Sequence, residues 1–149
     1  MREIKFRGYD TDSKVWRYGY YFLKEDTTLS PIYNSKEQYE KDKKENRHHL
    51  ILFNGFSDWN LPKPHYQSEV DGDSIGQYTG LKDKDNKEIY EGDIVTDGNV
   101  YGAVVFDEKH AQFMIDDIYD EHQDYTDWWH EVKIIGNIYE NADLLSGQK

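Results

Sequence analysis

Apolar and polar residues alternate with period two along much of this chain. From Arg2 to Tyr9, Ile4 and Phe6 fall on one face, and Glu3, Lys5 and Arg7 on the other. Thr11-Asp12-Ser13-Lys14 is a turn cluster. Val15 to Leu23 then alternates again, with Trp16, Tyr18, Tyr20 and Phe22 on one face. The pattern predicts an N-terminal β-hairpin whose aromatic face is core.

The pattern changes at Ser35. Ser35-Lys36-Glu37-Gln38 fits a capping box, and Glu37 with Lys41 and Glu40 with Lys44 are oppositely charged pairs four apart. A short helix over residues 36–46 follows. Tyr39 is its only large apolar residue, so it has no stripe to bury and belongs on the surface. Arg47-His48-His49 leads into Leu50-Ile51-Leu52-Phe53, which reads as a buried strand. Pro62 and Pro64 exclude a central strand nearby, and His65 to Val70 reads as a short one.

The most informative stretch runs from Gln77 to Val95. Asp83 to Lys87 is a polar run suited to a hairpin tip, and Asn86 suits a backbone of positive φ. Glu91-Gly92-Asp93 is a second reversal. Strands then follow at Val100 to Phe106, at Gln112 to Ile115, and within Trp128 to Tyr139, where Val132, Ile134 and Ile138 keep period two. Ala142 to Leu145 fits a helical turn. Five short strands between residues 75 and 140 fit a small closed or half-closed barrel, and Gly92-Asp93-Ile94-Val95 is a strand entry of the SH3-like kind. The fold class is mainly β, with minor helix. A β region with one charged helix occupies 1–74, and a small SH3-like barrel occupies 75–149, the two sharing one structural unit.

Composition narrows the chemistry. Thirteen tyrosines, six phenylalanines and four tryptophans favour sheets. The absence of cysteine excludes disulfides, thiolate zinc sites and cysteine nucleophiles, and accords with a reducing cytosol. No apolar run reaches signal-peptide or membrane-spanning length. The net charge of −12 is uneven: residues 1–24 carry +3, residues 25–66 carry −1, residues 67–105 carry −6, and residues 106–149 carry −8. Such a surface repels phosphate backbones, so nucleic acid is disfavoured and a charged partner should be basic.

Four blocks in order along the chain carry a family likeness: Met1-Arg2-Glu3-Ile4-Lys5-Phe6-Arg7, Val15-Trp16-Arg17-Tyr18-Gly19-Tyr20, Gln77 to Val95, and Gly136-Asn137-Ile138-Tyr139-Glu140-Asn141. With these the chain resembles the YopX family of phage and prophage proteins over nearly its whole length. Members commonly have Asn-Gly at the hairpin tip where this chain has Asp85-Asn86. The resemblance implies a mainly β protein made in the cytosol of a bacterial host. It implies no catalytic residues, cofactor or substrate.

Candidate sites are few. The acidic insertion Asp116 to Asp127 offers Asp116, Asp120, His122 and Asp124 to a hard cation, but lacks the glycine and glutamate of a helical calcium loop. His122 with His130 would suit zinc or nickel, and a solvated acidic loop is the plainer account. Asp83-Lys84-Asp85-Asn86 is better read as a hairpin than as a calcium loop. His48 and His49 point to opposite faces of a strand and cannot easily share an ion. No serine sits in a nucleophile elbow, no phosphate loop appears, and paired carboxylates are expected by chance among 30 acids. Arg2, Arg7, Lys14 and Arg17 beside Trp16, Tyr18 and Tyr20 are the one basic-aromatic cluster, fit to stack single-stranded bases if the rings were outside. Trp128-Trp129, read as strand residues, would turn one ring outward. With Tyr119 and Tyr125, that ring is an interaction candidate beside the acidic loop; burial of both rings is the equal alternative.

The expected function is therefore a non-enzymatic interaction module without cofactor, binding a protein partner and associating with itself. The alternatives are an acidic inhibitor that mimics nucleic acid on a basic host protein, and a metal-dependent binder or enzyme using residues 107–131.

Overall fold

The computed structural model describes residues 3–26, 33, 35–55, 65–99, 101–117 and 127–146. Among these residues, ten strands and two α-helices follow in order: β1 (Phe6–Asp10), β2 (Val15–Glu25), α1 (Lys36–Glu45), β3 (Arg47–Asn54), β4 (His65–Glu69), β5 (Gly76–Lys82), β6 (Glu88–Tyr90), β7 (Asp93–Thr96), β8 (Tyr101–Asp107), β9 (Gln112–Asp117), β10 (Lys133–Asn137) and α2 (Asp143–Ser146). All pairing between strands is antiparallel among the described residues. One sheet has the order β4-β3-β2-β1-β5-β6 and the other β10-β7-β8-β9. No helix is long and apolar enough to cross a membrane among the described residues.

The first hairpin forms where alternation predicts it, with Asp10 opposite Val15. The Asp10 carboxylate closes the turn by accepting the amides of Asp12 at 3.1 Å and Ser13 at 2.9 Å. Strand β2 then changes partner. It pairs with β1 up to Gly19 and with β3 from Tyr20 onward. Gly19 is the corner: a Cβ there would lie 2.0 Å from the carbonyl oxygen of Leu52, so only glycine fits.

The bend curls β1 to β4 towards closure. Just beyond β4, the Val70 amide donates to His49 O on β3 at 2.8 Å, and the Asp71 amide donates to Tyr9 O on β1 at 2.9 Å. Phe6, Tyr21 and His49 line the inner side in successive ring contact, and Ile51 there is wholly buried. This corrects the expectation for β2. Its aromatic side is core only at its start, where Trp16 lies against Tyr139 and donates to Glu140 at 2.9 Å. Beyond that point Tyr18, Tyr20 and Phe22 are 49%, 65% and 53% exposed. The interior takes the other side of the strand, with Tyr21 and Leu23, because that side is concave.

The Gln77–Val95 stretch is the joint between the sheets. Strand β5 joins β1 through Phe6 opposite Gln77 and Arg7 opposite Gly76, and Tyr78 opposite Tyr90 holds β6. Asn86 adopts the expected positive φ of 64°. The Asp83 carboxylate accepts the amides of Asp85 and Lys87, each at 2.9 Å, inside the turn. Gly92, at φ 81°, then turns the chain into β7 of the second sheet. Between residues 75 and 140 the described residues form six strands, β5 to β10, where five were expected, and these are divided between two sheets, an arrangement consistent with a half-open barrel. Strands from both sides of residue 74 share the six-stranded sheet.

The core of the second region gathers Ile89, Val95, Val104, Ile115, Trp129 and Val132. Trp128 and Trp129 are not strand residues as predicted. They sit in a short 3-10 turn, Asp127–His130, and the strand starts only at Lys133. Helix α1 begins at Ser35, whose hydroxyl accepts the Gln38 amide at 3.1 Å, and buries no residue. The ion pair four apart that it shows is Lys41–Glu45 at 3.7 Å, not one of the pairs expected.

Candidate interaction surface

Two arrangements dominate the joint. The first is buried. Arg7 on β1 forms an ion pair with Asp93 at the head of β7, and its Nη2 donates to Glu91 O at 3.1 Å. The guanidinium lies between Trp16 and Tyr90, 4.9 and 5.4 Å from their ring centroids. The second Asp93 oxygen accepts the Tyr90 amide at 2.8 Å. Arg7 Nε has no hydrogen-bond partner among the described residues; a Cβ on Gly76 would stand 3.6 Å from it. Burial pushes the Asp93 carboxyl up, against the pull of Arg7 and the Tyr90 amide. Both oxygens of the Asp93 carboxylate are engaged, and the node joins the two sheets. Nearby, the Tyr90 hydroxyl donates to Glu88 at 2.9 Å, and burial with that bond pushes it up.

The second arrangement is the exposed part of β2. Tyr18 leans edge-on against Tyr90 at 5.4 Å between centroids, while Tyr20 and Phe22 stand clear of the second sheet. Beside them a shallow groove of about 540 Å³ is lined by Glu3, Lys5, Tyr18, Tyr20, Leu52 and His65, among others. The cations near these rings are engaged: Lys5 with Glu88 at 2.5 Å, Arg7 with Asp93, and Lys24 with Asp26 at 2.9 Å. Arg17 pairs with Asp10 at 3.3 Å and stacks over Phe53, on the opposite side of the strand. Of the basic cluster read from the sequence, Arg7 and Arg17 are thus ion-paired, Lys14 sits in the β1–β2 turn, and Arg2 lies outside the described residues.

The other sequence-predicted residues divide three ways. Asp116 is exposed at the end of β9. Tyr119, Asp120, His122, Asp124 and Tyr125 lie outside the described residues, as does the side chain of Trp128. Trp129 is a buried core residue, with its ring inside the second region rather than facing a partner. His130 is exposed, 3.7 Å from Glu131. Among the described residues no group of three His, Asp or Glu side chains is placed to hold a metal ion.

His48 and His49 do face opposite ways. His48 lies between Asp26 at 3.2 Å and Glu69 at 2.9 Å, and the Glu69 hydrogen bond raises its pKa. His49 shares a 2.8 Å hydrogen bond with the Tyr21 hydroxyl. Another groove, of about 620 Å³ between α1 and residues 69–73, alternates Lys43, Lys44 and Arg47 with Glu40, Glu69, Asp71 and Asp73. No single sign of charge converges there.

Sequence reasoning missed the Arg7–Asp93 node. Its partners lie 86 positions apart, and the one local sign was an aspartate at the mouth of an apolar strand.

No curated protein matches this chain. A solved structure, described as the crystal structure of protein EF1440 from Enterococcus faecalis, is similar in fold. Its TM-score is 0.51 at 20% identity, over 97% of this chain and 99% of that one. The family model described as YopX protein matches residues 5–146, spanning both sheets, the Arg7–Asp93 joint and the β2 aromatic face, and so the chain belongs to the YopX family.

Proposed function

We propose that this chain is a non-enzymatic protein-interaction module that associates with itself, made from a phage or prophage and acting in the bacterial cytosol. The observation that carries this reading is the row of Tyr18, Tyr20 and Phe22, left outside on a strand that pairs first with β1 and then with β3. Large aromatics stranded on a rigid surface are typical anchors of protein contacts. The buried polar node is spent on joining two sheets. Sedimentation velocity at micromolar concentrations tests the self-association: a strict monomer counts against it.

A second reading has its own support in the charge of −8 over residues 106–149, where three basic groups stand against eleven acidic ones. That segment would let the chain occupy a basic groove on a host protein as an acidic mimic. Capture of such a protein would then weaken steeply with salt, and salt-indifferent capture would argue against it. Metal dependence of the acidic segment is checked by thermal shift with calcium, zinc and manganese. We expect no change in melting temperature with any of the three.

A further inference from the structure

The exposed side of β2 defines both the face and the partner. We propose that a second copy of this chain packs against it, the two outer faces stacking about a two-fold axis near Tyr20. The inference rests on the self-association reading above and gives it a location.

The rings are spaced for such an axis. Tyr18, Tyr20 and Phe22 project from one side of one strand at successive even positions, and the register sets Leu52 opposite Tyr20 and Leu50 opposite Phe22 on that same side. An antiparallel copy centred on Tyr20 sets Tyr20 against its counterpart and Tyr18 against Phe22 of the other copy. Each contact then occurs twice, as a two-fold interface requires.

Area supports the same occupant. An aromatic side chain presents roughly 150–250 Å², so three rings about half to two-thirds exposed leave about 300–400 Å² of aromatic surface in water. That lies within the range of roughly 300–600 Å² for the largest apolar patch on a typical monomer, a patch that is often functional. With Leu52 and the polar rim it supplies the apolar centre of an interface of about 800 Å² per partner. Because β2 is paired along its length, with β1 up to Gly19 and with β3 from Tyr20 onward, its backbone is already ordered before docking.

Charge decides between a second copy and a polyanion. The lysines and arginine near the rings are neutralised by Glu88, Asp93 and Asp26, so a phosphate chain finds no net positive track. The rim holds both signs, with Glu3 against Lys5 and His65. A mixed rim is compatible with its own two-fold image, where a rim of one sign would repel it.

Sedimentation equilibrium on the full chain tests the proposal, comparing wild type with Tyr20→Glu/Phe22→Glu and with Phe106→Glu. Phe106 is an exposed aromatic on β8, outside the patch. The expected result is a wild-type dimer, weakened about 100-fold or more in the double variant and unchanged in Phe106→Glu, with all three chains folded by far-ultraviolet circular dichroism. A dimer that persists in the double variant overturns the face while leaving self-association standing. A wild-type monomer at 100 μM, roughly the weakest affinity such a patch should give, overturns both.

A second measurement avoids the charged variants. The chain has no cysteine, so Tyr20→Cys introduces its only thiol. Packed sheets lie about 10 Å apart, so a bis-maleimide of that span should join two copies efficiently. Absence of cross-linked dimer at concentrations where the chain sediments as one overturns the axis.

Discussion

Replacing Arg7 by methionine should expose what the buried node costs and what it provides. The Arg7 and Asp93 side chains are only 8% and 2% exposed, so methionine leaves a carboxylate in a dry site without its counter-charge. The penalty has a ceiling, because the carboxyl can take a proton instead. Protonating a group of ordinary pKa 3.8 at pH 7 costs about 4 kcal/mol, at 1.36 kcal/mol per pH unit. Methionine fills the slot between Trp16 and Tyr90 but loses the cation–π contacts and the bond to Glu91 O, worth about 1 kcal/mol. Burial already raises Asp93 in the parent, so part of the charge penalty is present there. The expected loss is therefore about 3 kcal/mol at pH 7, a large share of a typical 5–15 kcal/mol domain stability.

The sign with pH follows from the raised carboxyl. A folded pKa above the unfolded one gives a contribution that is fully present below the unfolded value and lost as pH rises through the folded one. The deficit of Arg7→Met should thus shrink towards about 1 kcal/mol as pH falls and Asp93 takes up its proton. Asp93→Asn added to Arg7→Met removes the orphaned charge while keeping an oxygen for the Tyr90 amide. It should restore at least about 2 kcal/mol at pH 7, and Asp93→Asn alone completes the cycle. Urea unfolding of the four proteins at pH 7 and pH 4.5, with unchanged slopes, measures each term. A deficit that is equal at the two pH values, or that Asp93→Asn fails to relieve, refutes the account of the node.

Three further outcomes follow from the fold. Hydrogen bonds from Ser13 hold the Asp10 carboxyl well below its ordinary 3.8, so Asp10 stabilises the chain above that value and the benefit is lost as pH falls below it. Asp10→Asn should flatten the acid limb of a stability-against-pH curve, with its largest deficit near neutral pH. Gly19→Ala places a methyl 2.0 Å from the Leu52 carbonyl oxygen, and should cost about 3 kcal/mol or more in urea unfolding, since the neighbour is backbone. Trp129→Ala empties the centre of the second core. It should cost about 3–5 kcal/mol in thermal unfolding and leave the oligomeric state of the folded fraction unchanged, because the ring is not on the surface.

What the sequence disclosed depended on whether the deciding contacts were local. Turn chemistry did so: Asn86 takes its positive φ, Asp83 closes its hairpin, Ser35 caps its helix, and Gly92 reverses the chain. Strand existence also followed, from alternation for β1, β2 and β8 and from short apolar runs for β3, β7 and β9. Trp128-Trp129 misled because two adjacent tryptophans satisfy a strand and a 3-10 turn equally well. The inward side of β2 was harder, since both of its sides carry apolar residues: Trp16, Tyr18, Tyr20 and Phe22 against Val15, Tyr21 and Leu23. Counting aromatics chooses the first set. The fold chooses the second, because β2 changes partner at Gly19 and the sheet curls until Asp71 reaches Tyr9. Curvature is a property of the closed sheet, fixed by a contact 62 positions long. The glycine in the middle of an aromatic strand was the available sign, since a residue without a side chain there marks a bend more often than a flat run. Once the bend is granted, Trp16 is covered by the second sheet, and Tyr20 and Phe22, one turn of the pleat further on, have no part of the described chain left to cover them. The surface that supports the functional reading is thus a consequence of where the strand had to bend.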